Sequence, residues 1–207
     1  MESASVAAGH AAEHDEHHGP PEANVSSRVE AQFLGMLLFI ISEIMLFGAF
    51  FTAYFFIRVV NESGWFPIDG KDLPVAIAGV NTAILLSSSF TMHWALEGAR
   101  NGNTRAMRVG LLTTAGLGLT FLTIQVNEYV HLGFAPSDNA QGTVFYGLTG
   151  LHGAHVFVGL SLLTFATTRA FRGHFSPKEH RGVEVPGIYW HFVDVMWIFV
   201  YSTLYLL

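Results

Sequence analysis

The chain has 207 residues, of which 51% are hydrophobic and 13% charged, with 18 Phe, 21 Gly and no Cys. Soluble domains carry about a quarter charged residues, so roughly half the usual charge is missing; this excludes a disordered or disulfide-stapled chain and puts most of the sequence in lipid. A formal net charge of −6 without a basic stripe excludes nucleic-acid binding, and the lack of Cys removes thiolate catalysis, iron–sulfur clusters and cysteine-zinc sites.

In chain order, residues 1–30 come first. Gly9 to Pro21 reads GHAAEHDEHHGPP, with no large apolar residue to build a core, which predicts a mobile tail. It lacks the basic segment and apolar run of a signal peptide. His10, His14, His17 and His18, beside Glu13, Asp15 and Glu16, could chelate a divalent metal; a solvated acidic tail that takes up metal adventitiously is the simpler reading.

Five long apolar runs follow: Ala31 to Val60, Leu73 to Leu96, Met107 to Val130, Val144 to Ala170, and Val185 to Leu207. Each has at least about 20 residues, enough at 1.5 Å rise to cross a hydrocarbon layer of about 30 Å. The first run is long enough to tilt or to extend beyond the bilayer. A soluble bundle would need polar faces that such continuous runs do not supply. The expected fold is an all-α integral membrane bundle of five transmembrane helices over residues 31–207.

Eight of the ten Lys and Arg residues fall on one side of such a bundle, among them Arg28, Arg100, Arg105, Arg108, Arg169, Arg172, Lys178 and Arg181. Only Arg58 and Lys71 fall on the other. The positive-inside rule then places the N-terminus inside and the C-terminus outside. Pro67, Pro74, Pro136, Pro177 and Pro186 are read in or beside loops, where a missing N–H is tolerated. No inverted repeat of the kind found in many secondary transporters is visible.

Within lipid the informative side chains are the ionisable ones, because each is costly unless paired. Glu43 lies about twelve residues into the first run, among Ile, Met, Leu and Phe. It can serve as a proton relay, a lipid contact or a buried hydrogen-bond post. Glu128 lies near the end of the third run, and His93 and Glu97 near the end of the second. His152/His155 and His191/Asp194 are each spaced i, i+3, so each pair shares a helix face.

Facing Glu-x-x-His pairs hold di-iron centres in helical bundles, which makes metal binding one hypothesis. Such a site wants about four carboxylates, whereas these pairs are HxxH and HxxD and the spare acids lie at other depths. Interhelical hydrogen bonds are the simpler reading. Gly150, Gly153 and Gly159 suit close packing of the fourth helix. Trp65, Tyr129, Tyr189 and Trp190 read as an interfacial belt. No GxSxG, HExxH or phosphate-binding glycine loop occurs. These residues alone indicate an integral membrane subunit with buried polar posts.

The run GIYWHFVDVMWIFVYSTLYL resembles the last helix of subunit III of haem–copper oxidases, whose signature is a YWHFVDVVW-like segment. FIISEIMLFGAFFTAYF, NTAILLSSSFTMHWALEGARNGN, QVNEYVHLGF and YGLTGLHGAHVFVG resemble the preceding family segments, in order. The resemblance covers about Gln32 to Leu207 and is nearest to the cytochrome c oxidase type. Third subunits of quinol oxidases and some nitric oxide reductases share much of it.

The resemblance implies a short, five-helix form of a family whose longer members have seven helices around a lipid-filled cleft, here completed by another chain or absent. It implies a non-catalytic subunit that stabilises subunit I, beside subunit II, with haem and copper in those partners and no metal or catalytic residue in this chain. Other respiratory complexes are further possible partners. Phospholipid is the expected ligand: Glu43 corresponds to the family's lipid-contacting carboxylate, and Arg169 and His174 to its head-group-binding pair. The basic end of the fourth helix would attract an anionic phosphate. Glu128, His152, His155, His191 and Asp194 are then buried structural posts. The expected location is a bacterial cytoplasmic membrane, as a multi-pass protein. A quinol oxidase subunit, a proton or solute transporter and a membrane metalloenzyme are the alternative readings.

Overall fold

The computed structural model describes residues 31–60, 73–175 and 180–207. The residue 1–30 tail with its His/acid run, Trp65, Pro67, Lys71, Pro177 and Lys178 lie outside the described residues. Five helices follow in order: α1 (Ala31–Val60), α2 (Val75–Arg100), α3 (Thr104–His131), α4 (Ala140–Phe171) and α5 (Arg181–Tyr201). All five are long and apolar enough to cross a membrane. The last turn, Ser202–Leu206, widens, so that Leu207 N donates to Ser202 O at 3.1 Å, five residues back.

Helix ends extend beyond the apolar runs because polar caps set them. Asn103 accepts from Ala106 N at 3.0 Å and starts α3 three residues before the run. Asn139 accepts from Gly142 N at 2.6 Å and starts α4 four residues early. α5 begins at Arg181 rather than Val185 without a side-chain cap bond, which moves Pro186 from the expected loop into the second turn of the helix. There its ring removes one backbone donor without ending the helix.

α2 and α3 form the tightest pair. Gly102, at φ 72°, turns the chain between them. Gly110 lies against Ala95 so closely that an added Cβ would stand 2.7 Å from that methyl. Small residues bring backbones together where lipid supplies no hydrophobic drive between helices.

α4 and α5 complete a four-helix core around two buried indoles. Trp190 occupies a slot between Gly118 of α3 and Gly159 of α4, where a Cβ on Gly159 would sit 2.8 Å from the ring. Its Nε1 donates to Ser88 at 2.9 Å. Trp197 donates to Thr82 at 2.9 Å and packs edge-on against Phe121 at 4.9 Å. Tyr189 and Trp190 are therefore core residues, 1% and 0% exposed, and not an interfacial belt. With the true start of α5 at Arg181, they lie more than two turns inside the helix.

α1 packs against α4 and α5 through few side chains, chiefly the fully buried Phe47 and Tyr54. Tyr54 donates to Thr203 O at 2.8 Å, and Arg58 donates to Leu207 O at 2.5 Å. Phe33, Leu38, Ile44, Met45 and Phe56 all face outward.

Candidate functional site

Glu43 of α1 and His155 of α4 meet inside the membrane-spanning part, with carboxylate and Nε2 2.8 Å apart and both largely buried. The other ring nitrogen of His155 lies 2.8 Å from Leu151 O, one turn back on α4. A carbonyl can only accept, so Nδ1 carries a proton. Nε2 then either accepts from a protonated carboxyl or, in the imidazolium, donates to a carboxylate. Both arrangements hold the same two protons and no net charge, which suits a pair sealed from water. Phe47 packs against the imidazole at 5.0 Å, and Tyr189 donates to His155 O at 3.3 Å.

His152, one turn before His155, is wholly buried between Phe121 (5.7 Å) and Trp197 (4.7 Å). Neither of its ring nitrogens has a hydrogen-bond partner among the described residues. The HxxH pair is thus split: one ring ties two helices together and the other is core packing.

His191 and Asp194 of α5 converge on Ser89 of α2. The Ser89 hydroxyl donates to Asp194 and lies 3.2 Å from His191 Nδ1. With the hydroxyl proton committed to the carboxylate, Nδ1–H donates to the Ser89 oxygen, giving a relay from His191 through Ser89 to Asp194. Asp194 is buried and His191 half-buried. His93 is exposed and within electrostatic reach of His191. Sequence alone does not single out Ser89, because nothing in the run LLSSSF reveals which serine faces a neighbour.

Glu128 lies where α3 ends. Tyr205 donates to it at 2.7 Å, and the neighbouring Tyr129 donates to Thr149 at 2.7 Å. Beside them a cavity of about 550 Å³ lies between the start of α2 and the end of α3, lined by Pro74, Ile77, Ile124, Asn127, Glu128 and His131.

Arg169 and His174 sit together at the opposite end of the bundle, both exposed. Gly173, at φ 75°, turns the chain so that His174 N donates to Arg169 O at 3.2 Å. The Arg169 guanidinium lies over the rings of Phe165 (5.8 Å) and Phe175 (5.4 Å), within cation–π range. At this end Arg108 donates to Ala170 O at 3.1 Å, and Arg100 and His180 bracket Glu184 at 2.8 and 3.2 Å. The residues singled out by sequence therefore resolve into four separate places: Glu43/His155, His191/Asp194, Glu128, and Arg169/His174. Among the described residues no three His, Asp or Glu side chains converge as a metal-binding set.

Residues 16–207 match the sequence profile of the family described as cytochrome c oxidase subunit III. The chain belongs to the cytochrome c oxidase subunit III family. It is 41% identical over 175 residues to the cytochrome c oxidase subunit 3 of Thermostichus vulcanus, which covers 84% of this chain and 86% of that protein. Against the protein of the same name from Synechocystis sp. the identity is 38% over 192 residues, covering 92% and 78%. Against that of Oryctolagus cuniculus it is 39% over 176 residues, covering 83% and 67%. Membership makes the chain a multi-pass membrane subunit of an oxidoreductase complex, in association with other oxidase subunits. In this family frame, the four polar places lie in a subunit whose neighbours include other oxidase subunits.

Proposed function

We propose that the chain is the non-catalytic third subunit of a proton-pumping cytochrome c oxidase in a bacterial cytoplasmic membrane. The match to the subunit III profile over residues 16–207 carries this reading. The electron donor follows the name shared by the relatives, cytochrome c oxidase subunit 3. Haem and copper belong to the partner subunits, and this chain packs against subunit I, prolongs its working life and orders phospholipid.

Two sets of residues serve that role. Glu43 lies on α1, the helix with the most outward apolar surface for acyl chains, while His155 holds its carboxyl. Arg169 and His174 present a cation and an imidazole at an exposed helix end, a setting that attracts a phosphate head group. The aromatic rings beneath Arg169 hold the guanidinium in place without consuming its N–H donors. Lipid ordered in this way supports oxygen entry, and the basic helix ends support proton uptake.

The test is purification of the membrane complex through an affinity tag on this chain. The expected result is co-purification of haem- and copper-bearing subunits, with an oxidase absorption spectrum and oxygen consumption driven by reduced cytochrome c. Turnover with quinol but not cytochrome c would overturn the donor. Isolation of the chain without haem-bearing partners would overturn the function.

A further inference from the structure

Six His, Asp and Glu side chains lie at least seven residues from both ends of their helices: Glu43, His93, His152, His155, His191 and Asp194. At 1.5 Å per residue this is about 10 Å or more inside each helix end. Four of them are settled within the chain. Glu43 and His155 hold each other, His152 is enclosed by rings, and Asp194 is buried against Ser89. His93 and His191 differ, since one is exposed and the other half-buried, and they share the α2/α5 face, because His191 meets Ser89 one turn before His93 on α2. Ser89, half-buried, joins them, and Phe90, 78% exposed, lies on the outer side of α2 three residues before His93.

Hydrocarbon offers nothing to an imidazole. Ionisable groups at this depth face other protein or a water-filled cavity rather than lipid. The relay through Ser89 occupies His191 Nδ1 and leaves Nε2 as the ring atom for an outside partner. An aromatic anchor flanked by polar groups is also how helices recognise one another at an interface. The α1 surface is the internal control: its outward residues, among them Phe33, Leu38, Ile44, Met45 and Phe56, are mostly apolar, and the exposed Ser42 and Thr52 spend their hydroxyls on the backbone carbonyls of Phe39 and Gly48.

We infer that the α2/α5 face bearing Ser89, Phe90, His93 and His191 is the seam against which another membrane-spanning subunit of the oxidase docks. The partner helix supplies hydroxyl or carboxamide side chains, which can meet an imidazole nitrogen as donor or acceptor. Lipid head groups do not reach this depth. A second copy of this chain is the competing occupant, and membership of an oxidase subunit family favours a different subunit over it. This seam rests on the chain's being an oxidase subunit, which the tagged purification tests separately.

The experiment places a photo-crosslinking amino acid at position 93, or at position 195, where exposed Val195 lies one turn after His191 on α5, with position 45 on α1 as comparison, in the full chain of the intact membrane complex. Crosslinks from 93 and 195 should run to another membrane-spanning subunit, and those from 45 to lipid. In parallel, His191→Leu should lower retention of the other subunits through a detergent wash at least several-fold, with the helical content of the chain unchanged. Crosslinks from 93 and 195 to lipid alone, or to a second copy alone, overturn the seam, as does unchanged retention in His191→Leu. If haem-bearing subunits co-purify but position 93 joins no other membrane-spanning subunit, the seam fails and the oxidase reading stands. If none co-purifies, both fail.

Discussion

α1 and the α2–α5 core are made of the same apolar residue types, yet they are held by different physics. The core is locked by shape: Trp190 fills a slot whose walls are glycines, and Gly110 lets two backbones touch. α1 has one looser version of it, where Gly147 of α4 admits the Phe50 ring and an added Cβ would stand 3.1 Å from it. Phe47 and Tyr54 are its only residues fully buried among those described, and polar ties do much of the remaining work, namely Glu43 to His155, Tyr54 to Thr203 and Arg58 to Leu207. In lipid, apolar area alone does not choose between protein and acyl chain. A helix with a single small-residue contact therefore relies largely on hydrogen bonds for its position and yields most of its surface to lipid.

Substitutions in the two regions should separate these modes. Trp190→Ala should cost most, about 3–5 kcal/mol on the scale of large aromatic truncations in well-packed cores, and should lower the unfolding temperature of the whole bundle in detergent. If it melted like the wild type, the shape-lock account would be wrong. His155→Leu strands the Glu43 carboxyl without its partner and should cost about 1–2 kcal/mol, the upper range for buried interhelical hydrogen bonds. Its signature is local: hydrogen exchange should rise in α1 and stay unchanged in α2–α5, and a uniform rise would remove the distinction.

Glu43→Ala should be milder for the fold, because His155 keeps its bond to Leu151 O. Assembly should persist while the oxidase loses activity faster over many turnovers. Equal inactivation rates in mutant and wild type would end the idea that this carboxyl preserves the enzyme. Arg169→Ala should be the smallest structural change, since the side chain is exposed. It should reduce co-purifying anionic phospholipid, and unchanged lipid content by mass spectrometry would count against the head-group site.

The five spans were legible because hydropathy over some 20 residues is a coarse signal that packing cannot reverse. Helix ends were less so, since Asn103 and Asn139 act as caps only in a geometry that hydropathy ignores. The early start of α5 carried Pro186, Tyr189 and Trp190 inward with it. At the polar places, spacing put His152 and His155 on one face of α4, but only the packing of α1 and α3 gave one a carboxyl and the other two aromatic rings. The same limit hid Ser89. Its sequence neighbours Ser87 and Ser88 are chemically identical, and only the rotation of α2 against α5 selects the hydroxyl that joins His191 to Asp194.

The ring-walled His152 has a consequence for traffic through the membrane. Protons cross lipid along unbroken chains of groups that can both give and receive one. On α4 the next imidazole, His155, has both nitrogens engaged, but a step onward meets a ring bounded by Phe121 and Trp197, with no donor or acceptor in reach among the described residues. Residue 152 interrupts the line. Along α4, the described side chains therefore give a proton no path onward from His155 through His152.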